Sequence, residues 1–412
     1  MKIAFIVSTF PSLSQTFILN QITGLIDRGH EVDIFAEKAG NTSKMHPDVE
    51  KYRLVEQTYY WPLMPYNRLL RVLRGLKLLF INHRYKDPVN LLRSLNVFKY
   101  GKQAASLKLL YLAIPLLRKQ PYDIIHCQFG PNGLKCVLMQ DIRAFHGKLL
   151  TTFHGIDITK NLELFGDHIY DQLFDKGDFF LPISEHWKDR LLNLGCSETK
   201  IVVHRMGLDC RKFSFIPRQL HTSGQVCLVT VGRLVEKKGI EYGIRAVAKL
   251  VKVNQNIEYS IIGDGPLKED LQQLVQELNV GNIVKLLGWK QQQEIVEILN
   301  NSDIFLAPSV TAKDGDQEGI PVVLMEAMAV GLPIISTQHS GIPELIENGV
   351  SGFLVPERDV DALAENLSYL IEHPEVWPEM GRAGRAYVEE HYNIDKLNDR
   401  LVEVYRQLLS QE

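Results

Sequence analysis

The sequence predicts two α/β units, each built on a doubly wound parallel sheet. Three observations carry that expectation. At 412 residues the chain exceeds one ordinary core. Short apolar runs alternate with amphipathic stretches from end to end, the pattern of strands joined by crossover helices. The series also restarts after a polar, poorly periodic stretch, residues 211–225, which reads as a linker.

In the first half, residues 2–7 read as a buried strand, 16–28 as a helix ending at Gly29, and 31–35 as a second strand. Residues 123–127, 149–153 and 179–183 read as further strands of the same sheet. Each runs into a polar or glycine-containing loop: H-C-Q-F-G (126–130), F-H-G-I-D (153–157) and Ser184-Glu185. In open parallel sheets ligands bind outside the carboxyl ends of the strands, so these loops are candidate site walls. In the second half, strands are expected at 227–231, 258–262, 283–286, 303–307, 333–336 and 352–355. Residues 393–411 read as a charged amphipathic helix.

Composition narrows the class. The chain is 45% hydrophobic and 23% charged, as expected for a soluble globular enzyme. Its first apolar run is too short for a signal peptide and reads directly as a strand. No run of about 20 apolar residues is available to span a bilayer. The five cysteines (Cys127, Cys136, Cys196, Cys210, Cys227) form no C-x-x-C pair. Free thiols in a reducing, cytoplasmic setting are expected, and no zinc site.

The net charge of −3 conceals an asymmetry. Residues 61–119 carry twelve Lys and Arg against one acid, Asp87, interleaved with leucines and aromatics. Such a stretch suits an anionic membrane surface, with Arg68, Arg71, Arg74 and Lys77 as the patch. A solvated helix face or a nucleic-acid patch would share the composition. No RNP, KH or helix-turn-helix signature supports the nucleic-acid reading, so no nucleic-acid partner is expected.

The segment richest in chemistry is E-G-I-P-V-V-L-M-E, from Glu318 to Glu326. It reads as a tight Gly/Pro loop opening a helix, with Glu318 on the loop and Glu326 about two turns later. A helix start offers unpaired N–H groups and a positive dipole end. Carboxylates beside it can accept hydrogen bonds from sugar hydroxyls. An ordinary amphipathic helix with one capping and one solvated glutamate has the same pattern. Arg233 and Lys238, in G-R-L-V-E-K-K-G (232–239), lie between a strand and a helix and suit a pyrophosphate. They also read as two solvated cations. Asp314-Gly315-Asp316 has the form of a metal-binding D-x-D, but the Arg/Lys pair already supplies countercharge, so it reads as a polar loop and no metal is expected. His154 and His126 each end a strand, where a histidine is either structural or catalytic.

Taken together, these motifs resemble the retaining glycosyltransferases of family four, built on the two-Rossmann-domain GT-B architecture. The carriers are residues 232–239, I-G-D-G-P (262–266), the glutamate segment and G-I-P-E-L-I-E-N-G-V-S-G-F-L-V-P (341–356). F-P-S-L-S-Q-T-F-I-L-N-Q-I (10–22), F-H-G-I-D-I (153–158), R-M-G-L-D (205–209) and S-V-T-A-K-D-G-D-Q-E-G-I-P (309–321) resemble the exopolysaccharide branch, which includes colanic-acid and amylovoran enzymes. The resemblance implies a first domain over 1–212 and a donor-binding domain over 213–390. Residues 391–412 would then form a helix packed back on the first domain.

It also implies roles. His154, Glu318, Arg233 and Lys238 would be catalytic. Glu326, Gly319, Ile320, Pro321, Val322, Gly263 and Gly288 would hold a nucleotide-diphosphate hexose, and no cofactor would be required. Ser14, Gln15, Thr16, His126 and Asp157 would face a polyprenyl-diphosphate-linked acceptor across the cleft. Two departures from the family pattern stand out. Ser12-Leu13-Ser14-Gln15-Thr16 replaces a Gly-rich first loop, and Met206 stands where many relatives carry Asn. A nucleotide-sugar epimerase on the same architecture, or a non-catalytic nucleotide-sugar-binding component, remains an alternative from sequence.

Overall fold

The computed structural model describes residues 1–12, 15–40, 45–82, 92–116, 121–220, 222–251 and 256–411. Ser14 lies outside them.

The first sheet contains β1 (Lys2–Phe10), β2 (Glu31–Ala39), β3 (Thr58–Tyr60), β4 (Ile124–Gln128), β5 (Lys148–Phe153) and β6 (Phe179–Pro182). Its order is β3-β2-β1-β4-β5-β6, and its pairs are parallel. The second sheet contains β7 (Val226–Val231), β8 (Ile257–Ile262), β9 (Val284–Gly288), β10 (Ile304–Ala307), β11 (Ile334–Thr337) and β12 (Gly352–Val355). Its order, β12-β11-β10-β7-β8-β9, repeats the first, again with parallel pairs. Both are the doubly wound order, in which the crevice forms beside the first strand where the winding reverses. The architecture is therefore GT-B, two Rossmann-like domains.

Alternation along β1 divides the first core into two layers. Ile3, Phe5 and Val7 face one layer; Ala4 and Ile6 face the other. The helices that bear on the site are α1 (Thr16–Asp27), α2 (Arg68–Asn82), α3 (Gly130–Asp141), α4 (Glu185–Asn193), α5 (Ile240–Leu250), α6 (Val322–Ala329) and α7 (Ile394–Ser410). The last of these packs on the first sheet, not the second. Its Leu401, Val402, Tyr405 and Leu408 join the layer formed by Ile3, Phe5 and α1. Arg28 ties α1 to it through the Asp399 carboxylate at 2.7 Å and the Asp395 carbonyl at 2.8 Å.

Residues 211–225 are more than a loose linker. Arg218 is buried and donates to the carbonyls of Asn300 and Val330. Phe213 is buried against α6 residues. The polar composition hid this packing because the buried arginine donates to carbonyls of distant segments, Asn300 and Val330.

Candidate functional site

Three adjacent strands of the second sheet end in glycines that let their turns meet. The Gly263 N–H donates to the Gly288 carbonyl, and the Gly232 N–H to the Ile262 carbonyl. A Cβ on Gly263 would lie 1.8 Å from the Gly232 carbonyl oxygen. Gly263 also has φ +144, so no other residue fits there without displacing the Arg233 loop. Gly263 and Gly288 thus build the floor beneath Arg233.

On that loop, Lys238 Nζ lies 3.1 Å from Oε2 of Glu318, and Lys237 Nζ lies 4.0 Å from Oε1. Glu318 is buried. Burial alone would raise its carboxyl; the charges of Lys238 and Lys237 and the Lys238 hydrogen bond outweigh that and hold it below the ordinary value. Arg233 is exposed and makes no ion pair among the described residues.

Glu318 is further fixed through its backbone. Its N–H donates to Nε2 of His339 at 3.1 Å, and Nδ1 of His339 lies 2.6 Å from Oε1 of Glu357. The acceptor role of Nε2 directs the Nδ1 proton to Glu357. Ser340 donates to the Glu318 carbonyl at 2.6 Å. Beyond it the chain passes through Gly319, Ile320 and Pro321, the N-cap, into α6 at Val322. Five α6 residues, Leu324, Met325, Ala327, Met328 and Ala329, are fully buried. Among the described residues the N–H groups of Gly319, Ile320 and Val322 find no acceptor. They form, with the helix dipole, a place for hydroxyl or phosphate oxygens. Glu326 is half-buried, and Gln292 donates to its Oε1 at 3.0 Å. Desolvation by burial pushes its carboxyl up to about 7, against that hydrogen bond.

The first domain meets this loop at His154. A Cβ on Gly319 would stand 2.8 Å from the His154 carbonyl oxygen and 2.7 Å from Cδ1 of Ile183. Glu344 of the second domain caps α4, accepting from the Glu185 and His186 N–H groups at 2.9 and 2.8 Å. Lys160 reaches Asp314 at 2.6 Å, while Lys237 holds Asp316 at 3.0 Å. His154 lies between the Phe17 and Phe129 rings, with Nε2 2.7 Å from Oε1 of Gln128. Its Nδ1 is buried without a partner. Burial pushes its pKa down to about 3, so the imidazole is neutral.

Two residues placed on the acceptor wall from sequence are elsewhere. His126 is fully buried, with Nδ1 2.6 Å from the Tyr405 hydroxyl of α7 and Nε2 2.7 Å from the Thr152 hydroxyl. It shares a face with Gln128 one layer deeper, because alternate strand residues point the same way. Asp157 is also buried. Its carboxylate accepts from the N–H groups of Gly130, His154 and Gly155, each at 3.0 Å, so it shapes the loop from below. Burial pushes its carboxyl up to about 6 despite those three donors. Gln15 and Thr16 are half-buried at the start of α1, next to the Phe17 that packs on His154. Of the proposed surface patch, Arg71 points inward. Its guanidinium donates to the carbonyls of Pro65, Tyr66 and Ser106. Arg68, Arg74 and Lys77 are exposed.

Sequence reasoning missed Gln128, Gln292, His339 and Lys237. Gln128 and Lys237 lie inside motifs already singled out; His339 and Gln292 carry no local signal. A cavity of about 640 Å³, bordered by Phe353, Tyr369 and Met380, includes none of these residues.

Comparison with known proteins agrees with this geometry. Residues 81–212 match the Glycosyltransferase Family 4 model, and residues 212–387 match Glycosyl transferases group 1. The amylovoran biosynthesis glycosyltransferase AmsK of Erwinia amylovora is 39% identical over 414 residues, covering 99% of this chain and 100% of its own. WcaL of Salmonella typhimurium, named for colanic acid biosynthesis, is 39% identical over 97% of this chain and 98% of its own. Among solved structures, Anabaena HepE in complex with UDP has a TM-score of 0.71 at 18% identity, covering 99% of this chain and 100% of that one. Sucrose-phosphate synthase from Thermosynechococcus elongatus has a TM-score of 0.72 at 18% identity, over 100% of both chains. With two full-length relatives near 39% identity and family models matching both halves, the chain belongs to glycosyltransferase family 4 and is a glycosyltransferase.

Proposed function

We propose that the protein is a retaining hexosyltransferase that moves a sugar from a UDP-sugar to a lipid-diphosphate-linked exopolysaccharide unit. The observation that carries the reading is the Lys238–Glu318 pair, with its carboxylate buried, set against the acceptor-free N–H groups at the start of α6 and faced by His154. Relatives named for colanic acid and amylovoran biosynthesis support the exopolysaccharide substrate. The UDP complex of HepE supports the base.

In this reading Arg233 and Lys238 take the donor diphosphate and stabilise the negative charge that grows as the anomeric bond breaks. Lys238 leaves Glu318 for the phosphate. The freed carboxylate and the N–H groups of Gly319, Ile320 and Val322 hold the sugar hydroxyls. Glu326 takes the ribose hydroxyls. His154 covers the sugar from the first domain, and the contact of the two domains excludes water that would hydrolyse the donor. The departing phosphate oxygen deprotonates the acceptor on the same face. No protein nucleophile and no metal step is required.

The test pairs a thermal-shift panel of UDP-, GDP- and other nucleotide sugars with NMR of the transferred sugar. A UDP-sugar should raise the midpoint most, since only ligands favouring the folded state do so. The product should keep the donor's anomeric configuration. An inverted product, or a covalent sugar adduct on Glu318, would overturn the mechanism.

A further inference from the structure

Helix α2 is covered on one face only. Gly75 is its buried residue: a Cβ there would touch Leu107 and Leu110. Leu78 and Leu79 pack on Leu110 and Ile114, and the Tyr111 hydroxyl donates to the Arg71 carbonyl. Arg71, Gly75, Leu78 and Leu79 therefore mark the face turned to the protein.

At 100° per residue, Leu69, Leu73 and Leu76 fall together on nearly the opposite side. They are 70%, 54% and 58% exposed. Lys77 flanks this stripe on one edge with Arg74 beyond it, and Arg68 is exposed in the first turn of the helix. Among the described residues these three cations make no ion pair, and residues 61–116 include no described acid. More than half of the exposed large apolar side chains among the described residues fall between Leu63 and Phe98, with Tyr66 and Phe98 fully exposed.

We propose that α2 is an interfacial helix that docks the protein on an anionic lipid bilayer, with Leu69, Leu73 and Leu76 entering the acyl boundary and Arg68, Arg74 and Lys77 at the lipid phosphates. An exposed apolar stripe with exposed cations beside it and at the helix start is the pattern of a helix lying in a membrane surface. The uniform sign of the surrounding charge selects the occupant. An anionic surface attracts every cation of the segment at once. A second copy would bring the same positive segment against itself. No helix among the described residues is long and apolar enough to cross a membrane, so attachment through α2 is peripheral. The inference does not rest on the donor or acceptor reading, because it is measured by lipid binding alone.

The full chain is sedimented with vesicles of phosphatidylcholine and with vesicles of phosphatidylcholine mixed with phosphatidylglycerol. It should sediment with the mixed vesicles only, and less as salt rises. A Leu69→Ser/Leu73→Ser/Leu76→Ser variant and an Arg68→Glu/Arg74→Glu/Lys77→Glu variant should each lose about tenfold or more in partitioning. Hydrogen exchange of the unmodified protein provides a second measurement that does not depend on how the variants fold. Mixed vesicles should protect residues 66–80 over the rest of the first domain. Absence of wild-type binding, equal binding by folded variants, or no protection of 66–80 would overturn the proposal. So would wild-type self-association abolished by the leucine changes with vesicle binding retained, which would make this face a contact between copies.

Discussion

His154 Nε2 and Gln128 Oε1 lie 2.7 Å apart, and this hydrogen bond decides which ring nitrogen is left over. Gln128 donates through its own Nε2 to Gln21 at 3.0 Å, so its oxygen is the atom turned to His154. The imidazole, neutral because burial pushes its pKa to about 3, therefore carries its proton on Nε2 and offers Nδ1 as an acceptor. Gln128 acts as a positioning residue. Gln128→Leu should lower kcat about tenfold, the equivalent of one hydrogen bond, with donor KM nearly unchanged. Gln128→Glu keeps an acceptor and should retain most of the activity. Steady-state kinetics of the two variants checks this; equal losses in both would assign Gln128 to packing alone.

Glu318 and Lys238 should separate in kinetics even though they touch. Glu318→Ala removes sugar contacts that matter as charge develops, so kcat should fall about 10²-fold or more while UDP affinity stays within a few-fold. Lys238→Ala should weaken both, because its ammonium meets the diphosphate before and during reaction. Calorimetric UDP binding beside initial rates distinguishes the two patterns. Equal, uniform losses in both variants would mean that the pair only holds the loop together.

Much of this site was legible in the sequence because parallel strands buried on both faces read as apolar runs and their loops follow directly. The exception among strands is Thr58–Tyr60, a short, half-buried edge strand with too few residues for any period to register. The loop motifs marked Arg233, Lys238, Glu318 and Glu326. Their supports were not legible, because each comes from a distant segment: Gln292 reaches Glu326 across 34 residues, and His339 reaches Glu318 across 21. His126 shows the opposite error. Ending the strand next to His154 looked like proximity, but strand parity places its side chain a layer below, against Tyr405.

Nucleotide-sugar affinity should depend on pH through Glu326. Burial pushes this carboxyl up to about 7, and ribose hydroxyls donate best to its ionised form. Affinity should therefore be full above pH 7 and about tenfold lower one unit below it. Stability of the unliganded protein should move the other way. The folded state holds this proton more tightly than the unfolded chain, whose reference value is 4.5, so stability declines as pH rises from there to about 7. Glu326→Gln should flatten both profiles in that window. A UDP-sugar is the proper probe, since free UDP titrates its own terminal phosphate nearby. A wild-type affinity profile that Glu326→Gln leaves unchanged would contradict the assignment.

Chelation should leave the reaction intact. Lys160 and Lys237 hold the Asp314 and Asp316 carboxylates at 2.6 and 3.0 Å, while Arg233 and Lys238 remain as countercharge for the diphosphate. Rates measured with EDTA and with added magnesium or manganese should agree within about twofold, a difference of ~0.4 kcal/mol in the barrier. A hundredfold loss on chelation, restored by one cation, would move the D-x-D loop into the catalytic machinery.

A backbone contact between the two halves offers a sharper test. Gly319 faces His154, and an added Cβ would stand 2.8 Å from that residue's carbonyl oxygen and 2.7 Å from Cδ1 of Ile183. The isoleucine methyl can rotate away, but the carbonyl is backbone and cannot. It is tied through Asp157, which accepts from the His154 and Gly155 N–H groups at 3.0 Å. Relief must come from moving the α6 loop away from the first domain. Gly319→Ala should therefore widen the gap between Glu318 and His154 while each sheet stays intact. The expected result is a kcat loss of about 10²-fold, because a misplacement near 1 Å has that cost, with Tm lowered by only a few degrees. Asp157→Ala leaves three buried N–H groups without an acceptor and lets the His154 carbonyl yield. In the double variant it should recover part of the Gly319→Ala loss despite its own cost in stability. Strict additivity of the two kcat effects would show that the backbone contact does not set the spacing of the halves.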